Sequence, residues 1–89
     1  MTSSIHTDEM NILCHWLKQQ RTIQQLTMRE LASRMAKPHS YVQKVEQGER
    51  RLDVVEYVWY CTALNIDPHI GIHLILDAMQ LHEKIKADH

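Results

Sequence analysis

Residues 37–56, KPHSYVQKVEQGERRLDVVE, carry many hydrogen-bonding side chains around a few spaced apolar ones. Val42 and Val45 are three positions apart, which is the spacing of a buried stripe on a helix. The polar residues on the other side of such a helix are His39, Ser40, Gln43 and Lys44. Their side chains present donors and acceptors on short or flexible stems. The pattern therefore predicts a helix whose polar face is contacted by another molecule.

The length and composition favour one small helical domain. The chain has 89 residues, of which 44% are hydrophobic and 24% charged, with two glycines and two prolines. We expect residues 1–7 to form a flexible tail and residues 8–89 a single domain. No apolar run reaches the ~18 residues of a membrane span, and the polar N-terminus is not a secretory signal. Cys14 and Cys61 lie inside helical patterns, which predicts reduced, buried thiols in a cytoplasmic protein.

Charge is distributed unevenly along a chain whose net charge is −1. Residues 18–51 hold eight bases and three acids, whereas residues 52–89 hold two bases and six acids. Residues 1–17 add two acids and no base. A basic middle between acidic ends can place one positive face on a nearly neutral molecule.

The first two predicted helices have clear N-terminal signals. The first runs from about residue 8 to residue 21 or slightly beyond, with Thr7 as its cap. The second begins at TMRE, where Thr27 and Glu30 can form a capping box, and it ends near Ala36.

Three further helices follow. The third begins around Pro38 and ends at Gly48, the fourth spans about 54–64, and the fifth spans about 68–84. The residues predicted to cap or terminate the last two are Asp53, Asn65 and Asp67. Only about three residues separate the second helix from the third, which is the spacing of a helix-turn-helix. The expected fold class is a compact all-α domain of five helices.

Residues 26–68 contain three groups of spaced residues that carry a resemblance. They are LT with Glu-Leu-Ala four residues on, S-Y-V-x-K-V-E-x-G-E-R, and A-L-x-I-D-P. With them, roughly half of the chain resembles the phage-repressor-like (Xre/Cro-type) helix-turn-helix family. The resemblance implies a lambda-repressor-like fold that binds double-stranded DNA. Its second helix would lie across the phosphate backbone while the third enters the major groove.

The resemblance also implies roles for the polar face. Positions that match His39, Ser40 and Lys44 read bases in the family. Those that match Gln43 and Tyr41 contribute base or backbone contacts. The side chains suit such roles, since the Lys44 ammonium can donate to guanine O6 or N7.

Several other residues are placed to bind phosphates. Arg50 and Arg51 follow the third helix in a loop, where a guanidinium can donate two hydrogen bonds to one phosphate. Thr27 and Arg29 start the second helix, and Lys37 lies in the turn. The complete predicted set of backbone contacts is Thr27, Arg29, Lys37, Tyr41, Arg50 and Arg51.

One buried ion pair and two departures also follow from the resemblance. The family pairs an acid at the position of Glu46 with an arginine near the end of helix 1, where Arg21 lies, so a structural pair is expected. The alternative is two solvated charges. Met28 stands where the family usually has Gln, which removes one hydrogen-bond donor. Ala36 stands where a Gly is common, and an alanine held at positive φ costs about 1 kcal/mol.

The fifth helix carries two apolar faces. One comprises Ile70, Leu74, Ala78, Leu81 and Ile85, and a nearly opposite one comprises Ile72, Ile75, Leu76 and Met79. One face suffices to dock the helix on its own domain, so the second predicts another partner. The simplest partner is the same helix of a second copy, which would make the protein a homodimer. The alternative is a helix enclosed in its own small core.

Seven histidines raise the question of a metal site. His69, His73 and Asp77 are spaced four apart on one helical ridge, but Gln80 and Lys84 share it and mark it as solvated. No Cys or His elsewhere has the spacing of a zinc finger. We therefore expect no metal, no cofactor and no catalysis.

The expected function is a dimeric transcriptional repressor of bacterial or phage type that reads a short palindromic DNA site. A second hypothesis is a protein-interaction module, such as an antitoxin or adaptor with the same fold. A third is a metal sensor that would use His69 and His73. The sequence leaves any effector open.

Overall fold

The computed structural model describes residues 8–87, with side chains described as far as residue 80. This part of the chain forms five α-helices: α1 Asp8–Ile23, α2 Met28–Arg34, α3 His39–Glu46, α4 Val54–Leu64 and α5 Pro68–Ala87. The all-α prediction is confirmed. None of the helices in the described range has both the length and the apolar character that a membrane crossing requires. The predicted cap Thr7 and the predicted N-terminal tail lie outside the described residues.

Two capping boxes start α2 and α4. The Thr27 hydroxyl accepts the Glu30 amide at 3.0 Å, and the Glu30 carboxylate accepts the Thr27 amide at 2.8 Å. Asp53 and Glu56 form the same arrangement at 2.7 and 3.0 Å. The box at Thr27 and the cap at Asp53 are confirmed, whereas the reciprocal role of Glu56 was not predicted. Hydrogen bonds from Thr27 hold the pKa of Glu30 below its usual value.

The ends of some helices differ from the prediction by a few residues. α2 ends at Arg34, because the chain turns into the left-handed region at Ala36. Pro38 is the N-cap of α3 and not its first helical residue, with φ −68° and ψ 153°. Its ring fixes a φ that suits both positions, so ψ alone decides between them. α5 continues to Ala87, beyond the predicted end near residue 84.

Left-handed residues terminate two helices as predicted, at Gly48 and Asn65, and a third lies in the turn at Ala36, where a strained and a differently shaped turn were both open. Gly48, Asn65 and Ala36 have φ values of 76°, 60° and 55°. Gln25, after α1, also has a positive φ of 59°, which the sequence did not indicate. Glycine and asparagine tolerate this conformation, whereas for Ala36 it costs about 1 kcal/mol.

The centre of the core comes from the first four helices. Its fully buried side chains are Leu17, Leu31, Val42, Val45, Tyr60, Cys61 and Leu64. α5 adds Leu74 and Ile75, which are only partly buried against this core. Cys14 and Cys61 are buried free thiols, as predicted, and burial raises the pKa of both.

Gly71 sets the position of α5. A β-carbon on Gly71 would lie 2.1 Å from Tyr57 Oη, 2.7 Å from Trp16 Cζ3 and 3.0 Å from a methyl carbon of Leu13. The Tyr57 hydroxyl donates to the Pro68 carbonyl at 2.6 Å, beside this contact. The backbone of α5 therefore approaches α1 and α4 at a point where only glycine fits.

Candidate nucleic-acid interface

α2, the turn at residues 35–38 and α3 form a two-helix unit, which we call the helix-turn-helix unit. In the turn, the Lys37 amide donates to the Ala32 carbonyl at 2.9 Å and the Ala36 amide donates to the Ser33 carbonyl at 3.1 Å. Its buried side chains are Leu31, Ala32, Val42 and Val45. Because backbone hydrogen bonds and a shared core hold both helices, the unit presents α3 in a defined orientation.

The outward face of α3 is polar along its whole length. Val42 and Val45 have no exposed surface. The four residues predicted to read bases, His39, Ser40, Gln43 and Lys44, are all exposed and follow one side of the helix. Gln47, the C-cap residue, is exposed on the same side and was missed. Its position four residues after Gln43 was the available signal.

The residues predicted to contact phosphates lie on three segments: the start of α2, the turn with the first part of α3, and the loop after α3. Thr27 and Arg29 are exposed at the start of α2, and Lys37 is exposed in the turn. The Thr27 oxygen accepts the Glu30 amide, so its hydroxyl proton can still be donated to another group. The Lys37 ammonium lies 5.3 Å from the ring centroid of Tyr41, which is half-buried.

Several contacts hold Arg50 in the loop after α3. Arg50 forms an ion pair with Glu56, donates to the Arg51 carbonyl at 2.6 Å and lies 5.5 Å from the Tyr41 ring centroid. These contacts hold its guanidinium in place while 42% of the side chain remains exposed. Arg51 is exposed in the loop. Arg50 therefore contributes a positioned charge, which the loop prediction did not foresee.

The structure brings Arg21 and Glu46 together. Arg21 Nε donates to one carboxylate oxygen at 2.6 Å and Nη2 donates to the other at 3.1 Å. Nη1 donates to the Leu26 carbonyl at 2.7 Å. The exposed fractions of the two side chains are 10% and 3%. The hydrogen bonds to Glu46 raise the pKa of Arg21, so the pair joins α1 to α3 as two charges.

Comparison with solved structures shows the family. A structure described as an XRE-family like protein from Pseudomonas syringae pv. tomato is 36% identical, with a TM-score of 0.74. The alignment covers 85% of this chain and 92% of that one. The chain belongs to the XRE family.

Other solved structures share the fold of this chain. The restriction-modification controller protein C.AhdI from Aeromonas hydrophila is 29% identical over 73% of this chain and 98% of its own, with a TM-score of 0.68. The clp gene regulator ClgR from Corynebacterium glutamicum is 20% identical over 91% and 86%, with a TM-score of 0.71, and shows the fold alone. No protein-family model matches the sequence, and a comparison with curated proteins gives no match either. This chain is a DNA-binding transcription regulator, and DNA is its partner.

α5 of the XRE protein presents a narrower apolar stripe than predicted. Ile72, Leu76 and Met79 are 45%, 46% and 45% exposed. Ile75, predicted on the same face, packs against the core of the protein itself. Ile70, predicted on the face that docks α5 on its own domain, is 49% exposed. Because the α5 backbone lies against α1 and α4 at Gly71, the side of α5 that packs on the core is centred on Gly71.

The predicted docking face included two residues near the end of α5. The side chains of Leu81 and Ile85 lie outside the described residues.

The outward side of α4 is also apolar, which sequence reasoning missed. Val54, Val55 and Val58, which we call the α4 patch, are 78%, 56% and 42% exposed. Trp59, beside them, is 58% exposed. The signal was the sequence VVEYVWYCTAL, which is apolar on every side of a helix. Such a helix is expected to be covered on more than one side.

The histidine ridge on α5 does not gather ligands. The His69 ring nitrogen Nδ1 lies 2.7 Å from the Asp67 carboxylate, which also accepts the His69 amide. Among the described residues, no group of three or more His, Cys, Asp or Glu side chains could hold a metal ion.

Proposed function

We propose that this XRE protein is a dimeric repressor that reads a short palindromic operator through the major groove, acting in the bacterial cytoplasm. The observation that supports it most is the α3 face. Four exposed hydrogen-bonding side chains lie over two fully buried valines. Two such helices placed in successive major grooves would block access of polymerase to a promoter.

The proposed division of labour follows from side-chain chemistry. His39, Ser40, Gln43 and Lys44 read base edges, where their donors and acceptors distinguish one base pair from another. Phosphate contacts carry register and affinity but no sequence information. We assign them to Thr27, Arg29, Lys37, Tyr41, Arg50 and Arg51. The Arg21–Glu46 pair keeps α1 against the reading helix.

The dimer is proposed to form through α5. Its exposed stripe of Ile72, Leu76 and Met79 would be covered by the same stripe of a second copy across a twofold axis, with Ile75 at its border. A twofold dimer would place its half-sites about 10 base pairs apart, so the operator would be a short palindrome.

Sedimentation of paired variants tests this interface. Ile72→Glu with Leu76→Glu is expected to give a monomer at micromolar concentration. Val54→Glu with Val58→Glu places the same two charges on the α4 patch and is expected to leave a dimer. A wild type that is monomeric under these conditions would exclude the dimer. Dissociation by the α4 variant alone would move the interface to α4.

DNA titration tests the reading face. Sites would first be selected from a random DNA pool with wild-type protein. Lys44→Ala is expected to weaken the selected site by about 1–3 kcal/mol and to flatten preference at one base pair per half-site. Arg51→Ala is expected to weaken all sequences alike and to make the salt dependence shallower by about one unit for each phosphate that is no longer neutralised. Lys18→Ala, an exposed lysine on α1, is the charge-matched control.

A second candidate function is a protein-interaction module such as an antitoxin or adaptor. The exposed α4 patch and the net charge of −1 favour it. If Lys44→Ala weakens every sequence equally, α3 does not read bases and this candidate takes precedence.

A further inference from the structure

A groove of about 540 Å³ lies between the turn of the helix-turn-helix unit and α4. Its lining includes Met35 and Ala36 from the turn, Tyr41 from α3, and Trp59 and Ala63 from α4. Its volume is within the range of pockets that bind small organic molecules. Phosphate binding by Tyr41 does not account for a groove of this composition.

The apolar part of the groove suits a flat ring. The Trp59 side chain is 58% exposed, and Tyr41 is half-buried with its ring packed at 6.3 Å from that of Tyr60. Aromatic side chains next to a thioether favour contact with another aromatic group over contact with water. The exposed Trp59 indole beside the groove provides a flat apolar surface that an aromatic ring can cover.

The charges at the rim select for an anion. Arg34 and Lys37 are exposed on one side, and a hydrogen bond of 2.8 Å from Arg34 to the Ala63 carbonyl holds its guanidinium at the rim. The acid that lines the groove, Glu56, is already paired. One of its oxygens accepts the Asp53 amide at 3.0 Å, and the other is bound by Arg50. The lining therefore offers an anion two cations, Arg34 and Lys37, beside one acid that is already paired.

We propose that this groove binds a small aromatic carboxylate. The ring lies against Trp59 and Tyr41, and the carboxylate is bound by Lys37 and Arg34. The ligand would also lower the affinity for DNA, because it occupies Lys37 and Tyr41. That consequence rests on the proposed function, whereas the binding site itself does not.

Calorimetric titration of the full chain without DNA tests the site. The probes are 2-naphthoate and its neutral isostere 2-naphthamide, with the shifted amide signals mapped by NMR. We expect 2-naphthoate to bind with shifts confined to residues around the groove. Trp59→Ala should weaken binding about tenfold, since it removes an aromatic contact. Lys37→Gln should weaken 2-naphthoate up to about fivefold and leave 2-naphthamide unchanged.

Two variants outside the groove are the controls. Val55→Ala removes exposed apolar surface from the same helix, and Lys18→Gln removes an exposed charge from α1. Both are expected to bind 2-naphthoate like the wild type. No binding at millimolar concentration, or equal binding of acid and amide, would overturn the proposal. So would Trp59→Ala turning a dimer into a monomer, because a second copy would then occupy the groove.

Discussion

The helix-turn-helix unit and α5 are both amphipathic, but their apolar sides are buried to different degrees. In the unit, Val42 and Val45 are fully buried and the opposite side is polar. In α5, Leu74 and Ile75 are only partly buried, while Ile72 and Leu76 remain about half exposed. On α3 no large apolar side chain is left exposed, whereas α5 keeps an exposed apolar stripe.

This difference separates two uses of a helix surface. A polar face over a closed core can bind a polar ligand and be released without exposing apolar surface. An apolar stripe is stable only when something covers it. The two regions are also positioned by different means: α3 is joined to α1 by the buried pair Arg21–Glu46, and α5 by close contact at Gly71. Each of these positioning contacts can be broken separately.

Removing the acid of the buried pair is expected to have the largest effect on stability. Glu46→Ala leaves the Arg21 guanidinium buried without its carboxylate, so the free energy of unfolding should fall by about 3 kcal/mol. Glu49→Ala, an exposed acid in the following loop, is the control and should change it little. Denaturant titration measures both. Equal midpoints for the Glu46 variant and the wild type would show that the pair does not join the helices.

Adding one methyl group at Gly71 should perturb α5 selectively. The new β-carbon cannot lie 2.1 Å from Tyr57 Oη and 2.7 Å from Trp16 Cζ3, so α5 must shift. We expect a loss of about 2 kcal/mol, with altered NMR signals in α5 and unchanged ones in α3. Ala78→Gly, on the same side of α5 beyond the contact, provides the comparison. An undisturbed α5 in Gly71→Ala would show that this contact does not position the helix.

Replacing a tyrosine by phenylalanine is expected to change the stability of the protein in opposite directions at two positions of α4. Tyr60 is fully buried, and among the described residues its hydroxyl has no hydrogen-bond partner. Tyr60→Phe should therefore stabilise the protein by about 1 kcal/mol. The Tyr57 hydroxyl donates to the Pro68 carbonyl of α5, so Tyr57→Phe should cost about 1 kcal/mol. Thermal unfolding of both variants checks the sign, and a shift in the same direction for both would contradict the assignment.

Relieving the turn should have the smallest effect. Ala36 has φ 55°, and Ala36→Gly removes the steric cost of that conformation at the expense of a more disordered unfolded state. The expected net gain is below about 1 kcal/mol. Ala32→Gly, inside α2, serves as the opposite case and should destabilise. A loss of stability in Ala36→Gly would mean that the turn is not strained.

The sequence was sufficient for the helix-turn-helix unit because its signals are local. A capping box lies within four residues, and the left-handed residue after α3 is a glycine, Gly48, which tolerates that conformation. The polar side of α3 follows from the spacing of two valines alone. These features are set by backbone geometry and side-chain chemistry, so a single sequence determines them.

Only the tertiary structure decided how α5 lies and what remains uncovered. The apolar residues of α5 are spread around the helix, so periodicity could not say that Ile75 packs inward and Ile70 outward. The contact between Gly71, Tyr57 and Trp16 settles the rotation, and these residues are distant in sequence. The exposed α4 patch and the groove at Trp59 likewise depend on which neighbours reach α4. Burial is a property of the packed chain, and local patterns determine it only where one face alone is apolar.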